Sequence, residues 1–255
     1  MLKSYEQYEQ ELKWAYTSFY FDNGTCPYFE QCSAGMEKPK IRCDFATRVG
    51  VHYGNGRYPK VLMLGQEGTN SRTTFEEPCR SLDGTSRQHY PKTLYTLAMI
   101  LKREQPKSWS REDLRIYEEL FTHYALTNYF KCAFSDDLDK VNGFQHNDSM
   151  KNNCFKLLLK ELDVLEPDLL VVQGKFTTQP FWDALDQAYD KGVRLWGNKT
   201  AQTDTISLYQ HKRNGKPFYI LYSYHPAGIS QWNRTLIDLK TAIEHFCRAY
   251  DLRYN

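Results

Sequence analysis

The sequence predicts an α/β fold in which a central, largely parallel sheet is covered by helices on both faces, and three observations lead there. Short, continuously apolar runs at 60–65, 124–130 and 168–173 read as strands buried on both sides. Between them lie segments with apolar residues at helical spacing, the alternation that parallel strands require. Near the end, 207–211 and 218–224 flank Asn214-Gly215, a strong hairpin signal, so the sheet should finish antiparallel.

Taken in order, residues 2–20 form an amphipathic helix and 23–59 an irregular segment punctuated by Gly and Pro that holds Cys26, Cys32 and Cys43. Irregular backbone of that length needs an anchor, and ligand bonds to a metal cluster supply one. Strand 60–65 then leads through a polar loop, 66–89, to helices 92–103 and 110–122 and strand 124–130. A loop to 146, helix 148–164, strand 168–173 and helix 176–189 follow, then the hairpin and a final helix over 231–250. With no repeat, low-complexity tract or linker, residues 1–255 are expected to form a single domain, of which 1–59 is the metal-anchored N-terminal part.

Composition narrows the class. The chain has no apolar run of membrane-spanning length and no secretory start, so a soluble, cytoplasmic protein with no membrane partner is expected. A net charge of +2 neither demands nor excludes a polyanion, and local clusters matter more. Seven cysteines in a reducing compartment argue for a metal site, a reactive thiol or core packing rather than disulfides. Nothing points to an obligate protein partner, and a monomer is expected.

Ligand crevices of open parallel sheets lie beyond the carboxyl ends of the strands, and Glu67, Asn128, Gly174 and His225 all fall there. Asn128 carries both donors and an acceptor and so suits a base edge, although strand-end capping is its other common use. His225 precedes Pro226, which stiffens its turn. The segments that hold these residues read GQEGTN at 65–70, LTNYFKC at 126–132, PDLLVVQG at 167–174 and YHPA at 224–227.

In this order, with Cys43, Cys132 and Cys154, they resemble the uracil-DNA glycosylase superfamily over roughly 43–250, and its iron–sulfur branch in particular. The resemblance implies a three-layer α/β/α domain, DNA as partner, a flipped base, and hydrolysis of the N-glycosidic bond to leave an abasic site. That reaction passes through a cationic sugar and an anionic base, which call for a carboxylate and hydrogen-bond donors. Glu67 falls where the GQDPYH form of the first motif has its water-positioning Asp; the GEAPG form of the iron–sulfur branch would place the acid at Gln66. His225 matches the family's donor to the base oxygen, and Asn128 its base-pairing amide. By the same resemblance Gln66, Gly68, Thr69 and Asn70 are expected to line the substrate, with Tyr90 or Phe75 as the stacking ring. Ile229 falls where members of the family place the wedge that fills the gap left by the flipped nucleotide, with Trp232 its rival. Arg234, with Lys191, Arg194, Lys199, Lys212, Arg213 and Lys216, is a candidate for phosphate contact.

The resemblance also implies a 4Fe-4S cluster on Cys43, Cys132, Cys154 and one of Cys26 or Cys32, with zinc as the alternative metal for the same four thiolates. Cys79 and Cys247 are bystanders. Thr69 stands where the GQDPYH form has a bulky Tyr that excludes 5-substituted pyrimidines, and a long polar loop follows it. The substrate suggested is therefore a 5-substituted cytosine, such as the glucosylated hydroxymethylcytosine of phage DNA, removed in antiviral defence. The alternatives are ordinary uracil excision in repair and a non-catalytic module that binds modified DNA. A magnesium-dependent hydrolase or nuclease needs clustered strand-end carboxylates, and only Glu67 is well placed.

Overall fold

The structure, a computed structural model, describes residues 2–17, 28–34, 40–42, 47–65, 89–131, 133–135, 148–174, 179–197, 206–224 and 229–252. Helix α1 (Tyr5–Thr17) begins after Ser4, whose N–H donates to the Gln7 side chain at 2.7 Å while its hydroxyl accepts the Gln7 N–H at 3.4 Å. This reciprocal cap starts the helix later than the apolar spacing implied. The segment expected to be irregular contains helix α2 (Phe29–Ser33) and two short strands, β1 (Lys40–Arg42) and β2 (Arg48–Val49). Strand β3 (Val61–Gly65) follows, then α3 (His89–Leu97), which a π-helical turn (Ala98–Lys102) extends. Helix α4 (Arg111–Leu114) is capped by the Ser110 hydroxyl and tightens into a 3-10 helix (Arg115–Thr122). After it come β4 (Tyr124–Asn128), β5 (Ala133–Ser135), α5 (Asp148–Leu165), β6 (Leu169–Gln173) and α6 (Gln179–Ala188). Strand β7 (Val193–Gly197), the hairpin of β8 (Ser207–Arg213) and β9 (Lys216–Ser223), and helix α7 (Ile229–Asp251) complete the chain. Asn214 and Gly215 turn the hairpin with φ of 51° and 75°, the left-handed pair that a two-residue loop requires.

The main sheet has the order β2-β4-β3-β6-β9-β8-β7. Its centre, β4-β3-β6-β9, is parallel, and β2, β8 and β7 join antiparallel at the edges. Side-chain alternation sends Leu62, Leu64, Leu170, Val172 and Ile220 into one core with α1, α5 and α6 residues, and Val61, Met63, Leu169, Val171 and Leu221 into a second with α3 and α7 residues. Both faces are covered, giving the three-layer α/β/α arrangement that the sequence predicts.

From β3 the chain crosses by α3 and α4 to β4 on one side, then returns by α5 to β6 on the other. Strand order therefore reverses between β3 and β6, and an open sheet has its crevice where such a reversal occurs.

Candidate active site

Four strand ends meet at this reversal. Gly65 is the Cα partner of Asn128, Leu64 that of Val172, and Gln173 that of Ser223, so Asn128, Gly65, Gln173 and Ser223 form one row across the sheet. Alternation places the Asn128 and Gln173 side chains on the α3 face, since Thr127 and Val172 point to the α5 face. A Cβ on Gly65 would stand 2.7 Å from Asn128 Oδ1, so the amide leans over β3 in space that only glycine leaves open. Gly174, at φ 118°, then turns the chain out of the row, its N–H donating to Ser223 O at 3.0 Å.

Gln173 is the residue that the sequence reading passed over. It is 1% exposed, its Nε2 donates to Thr93 Oγ1 on α3 at 3.3 Å, and its Oε1 has no hydrogen-bond partner among the described residues. A buried carbonyl without a partner is costly, and one at a strand-end crevice is suited to a ligand N–H. Its only signal in the sequence was a polar residue closing an otherwise apolar strand. Tyr90 lies one helical turn before Thr93, half-buried, with its ring edge-on to Phe121 at 6.2 Å.

The opposite face of β4 is pinned. Glu161 of α5, fully buried, accepts from Lys131 Nζ at 2.6 and 2.8 Å, from the Tyr16 hydroxyl at 2.5 Å and from the Thr127 hydroxyl at 2.9 Å. Thr127, which also accepts from Thr47 Oγ1 at 2.9 Å, immediately precedes Asn128, so the strand end is tied to α1 and α5. Burial and the Glu161 charge push the Tyr16 phenol well above its ordinary range, so it remains a donor.

Cys32 on α2 and Cys154 on α5 are both buried free thiols. Asn153, beside Cys154, places its Nδ2 3.6 Å from Cys32 Sγ. Burial, with Cys154 nearby, pushes the Tyr129 phenol up, and its hydroxyl donates to Lys151 O at 2.9 Å. Strands β1 and β5 pair antiparallel through Arg42↔Ala133, the chain neighbours of Cys43 and Cys132. Among the described residues no group of three or more metal-binding side chains occurs. Cys26, Cys43 and Cys132 lie outside the described residues, as do Gln66, Glu67, Gly68, Thr69, Asn70, Phe75 and His225. Ile229, Trp232 and Arg234 lie on the first two turns of α7, with side chains outside the description.

The model of the uracil DNA glycosylase superfamily matches residues 53–250. The chain belongs to this superfamily. The match spans every parallel strand and all but the last residue of α7, hence all four strand ends, while Cys26, Cys32 and Cys43 precede it. Members are DNA glycosylases, hydrolases that act on DNA. No curated protein matches the chain. No helix among the described residues is long and apolar enough to cross a membrane.

Proposed function

We propose that the protein hydrolyses the N-glycosidic bond of a flipped pyrimidine held over Gly65, with the amides of Asn128 and Gln173 reading the base edge. The observation that carries this reading is the row Asn128-Gly65-Gln173 at the strand-order reversal of a superfamily member. In the proposed reaction the C1′–N bond breaks with its electron pair on the base, and water supplies the hydroxyl at C1′. Glu67 orients that water, takes its proton and opposes the sugar cation, while His225 donates to the base oxygen as charge develops. The unpaired Oε1 of Gln173 supports cytosine, whose exocyclic amine offers an N–H where uracil has only an oxygen. Thr69, in place of a bulky guard, supports a 5-substituent on that base, and with it a role against phage carrying modified DNA. The test is incubation with DNAs bearing uracil, mismatched thymine, hydroxymethylcytosine or its glucosides, with released bases identified by mass spectrometry. Release of uracil alone would return the protein to the ordinary repair reading, and binding without release would make it a modified-DNA recognition module.

The same proposal places the chain in the iron–sulfur branch, with Cys43, Cys132, Cys154 and Cys32 as ligands. Four thiolates suit a 4Fe-4S cluster, whose bonds would tie the N-terminal segment to β5 and α5. Support for Cys32 over Cys26 comes from its burial against α5, where Asn153 joins it to the turn of Cys154. Iron and sulfide should be lost from a Cys32→Ser variant and kept by Cys26→Ser. Stoichiometric zinc after anaerobic purification would replace the cluster with the alternative metal.

A further inference from the structure

We propose a second ligand site, for a small oligophosphate of nucleotide size, in the cleft at the amino ends of the parallel strands. This cleft is about 780 Å³, within the range of small-molecule sites. Its walls include Lys60 just before β3, Asp168 just before β6 and Lys216 at the start of β9. Asn128 and Gln173 end their strands at the other pole, roughly 17 Å away for a strand of five residues. The site is thus separate from the base crevice and does not depend on what that crevice does.

Six cations line the cleft, Lys3, Arg57, Lys60, Arg103, Arg213 and Lys216, against the carboxylates Glu166, Asp168 and Asp251. Those carboxylates are already engaged. Asp251 pairs with Arg103 at 2.9 Å and Glu166 with Lys60 at 3.5 Å, while Asp168 Oδ2 accepts the Lys60 backbone N–H at 2.9 Å. Lys3 is held by Glu11 at 2.7 Å. Arg57, Arg213 and Lys216 form no ion pair among the described residues. Burial alone would raise the Glu166 carboxyl, yet the fields of Lys60, Arg213 and Lys3 outweigh it and hold it below its ordinary range. At this acid the neighbouring cations therefore outweigh burial.

Arg213 distinguishes this cleft from a solvated basic surface. Its Nη1 donates to Leu162 O at 2.6 Å, and the guanidinium sits 5.6 Å from the Phe218 ring centroid, so the group is fixed in place with no other donor committed among the described residues. A fixed guanidinium can meet two phosphate oxygens at once. Half-buried Tyr58 also stands in the lining, with Arg57 5.0 Å and Lys102 5.9 Å from its ring centroid, so the cleft sets an aromatic ring among its cations.

The test is calorimetric titration of the full chain with inorganic tripolyphosphate and with ATP, repeated on Arg57→Glu/Lys216→Glu. Both side chains are exposed, so the variant should melt with the wild type. Saturable binding of tripolyphosphate is expected, weakened by about tenfold or more in the variant. Tighter binding of ATP than of tripolyphosphate supports the site with a stacked base, and equal affinity supports it with the phosphates alone as the recognised group. The proposal is overturned if neither probe saturates below about 1 mM, if binding survives the charge reversal, or if only DNA binds.

Discussion

Asn128 and Gln173 stand on either side of a gap that Gly65 keeps open, and each of the three can be tested alone. In Gly65→Ala the added methyl meets the far end of a flexible side chain, 2.7 Å from its own position. Moving that amide costs little stability, so the variant should melt near the wild type. If Asn128 reads the base as proposed, a displacement of about 1 Å should nevertheless lower kcat/KM for the preferred base on the order of 100-fold. Gln173→Leu keeps the volume and removes an unpaired buried carbonyl, whose burial costs about 1–3 kcal/mol. Its melting temperature should therefore hold or rise by a few degrees, while discrimination between bases falls at least about tenfold. Undiminished discrimination would make Gln173 a structural residue. The sequence exposed Asn128 because it lies within LTNYFKC, where the family resemblance gives it a role; Gln173 was hidden because one polar residue after an apolar run looks like a boundary.

At the level of elements, the strand carrying Asn128 is held by the buried ion pair Lys131–Glu161, with Tyr16 bringing α1 to it. Replacing one partner leaves the other charge unpaired in the core. Lys131→Met should destabilise the fold by about 3–5 kcal/mol in urea titrations, whereas Lys131→Met/Glu161→Leu should cost distinctly less than that single change. A double variant as unstable as Lys131→Met would show that the packing, not the charge, is what matters. The parallel strands β3, β4, β6 and β9 were legible because burial on both faces demands unbroken apolar runs, and the hairpin because Asn214-Gly215 supplies the two positive φ values. Edge strand β7 was not, since Val193 and Arg194 are exposed and its composition reads as a basic loop. Strands β1 and β5, three residues each, are too short to carry a period. The 3-10 continuation of α4 keeps helical spacing and so looked like one helix.

For the molecule as a whole, pH dependence should follow two buried histidines. Burial pushes His123 and His211 below the ordinary imidazole value, the latter despite the Asp190 carbonyl and Asp186 opposing the shift. The unfolded chain then binds more protons than the folded one. Their contribution is complete above about pH 6.5 and is lost as pH falls through the lowered folded-state values. Urea midpoints should drop between about pH 7.5 and about pH 5.5, with a slope of up to about 1.4 kcal/mol per pH unit for each histidine, and His211→Gln should flatten the curve. A midpoint that rises on acidification would contradict this assignment.

The central claim is that the crevice above Gly65 releases a pyrimidine from DNA through chemistry that depends on Glu67. The most direct measurement is mass spectrometry of bases set free from the DNA panel by the wild type and by Glu67→Gln. The account predicts a 5-substituted cytosine released by the wild type, with an abasic site left behind. Release should fall about 100- to 1,000-fold in Glu67→Gln while DNA binding is kept. No base released from any member of the panel, or equal release by the two proteins, would contradict it.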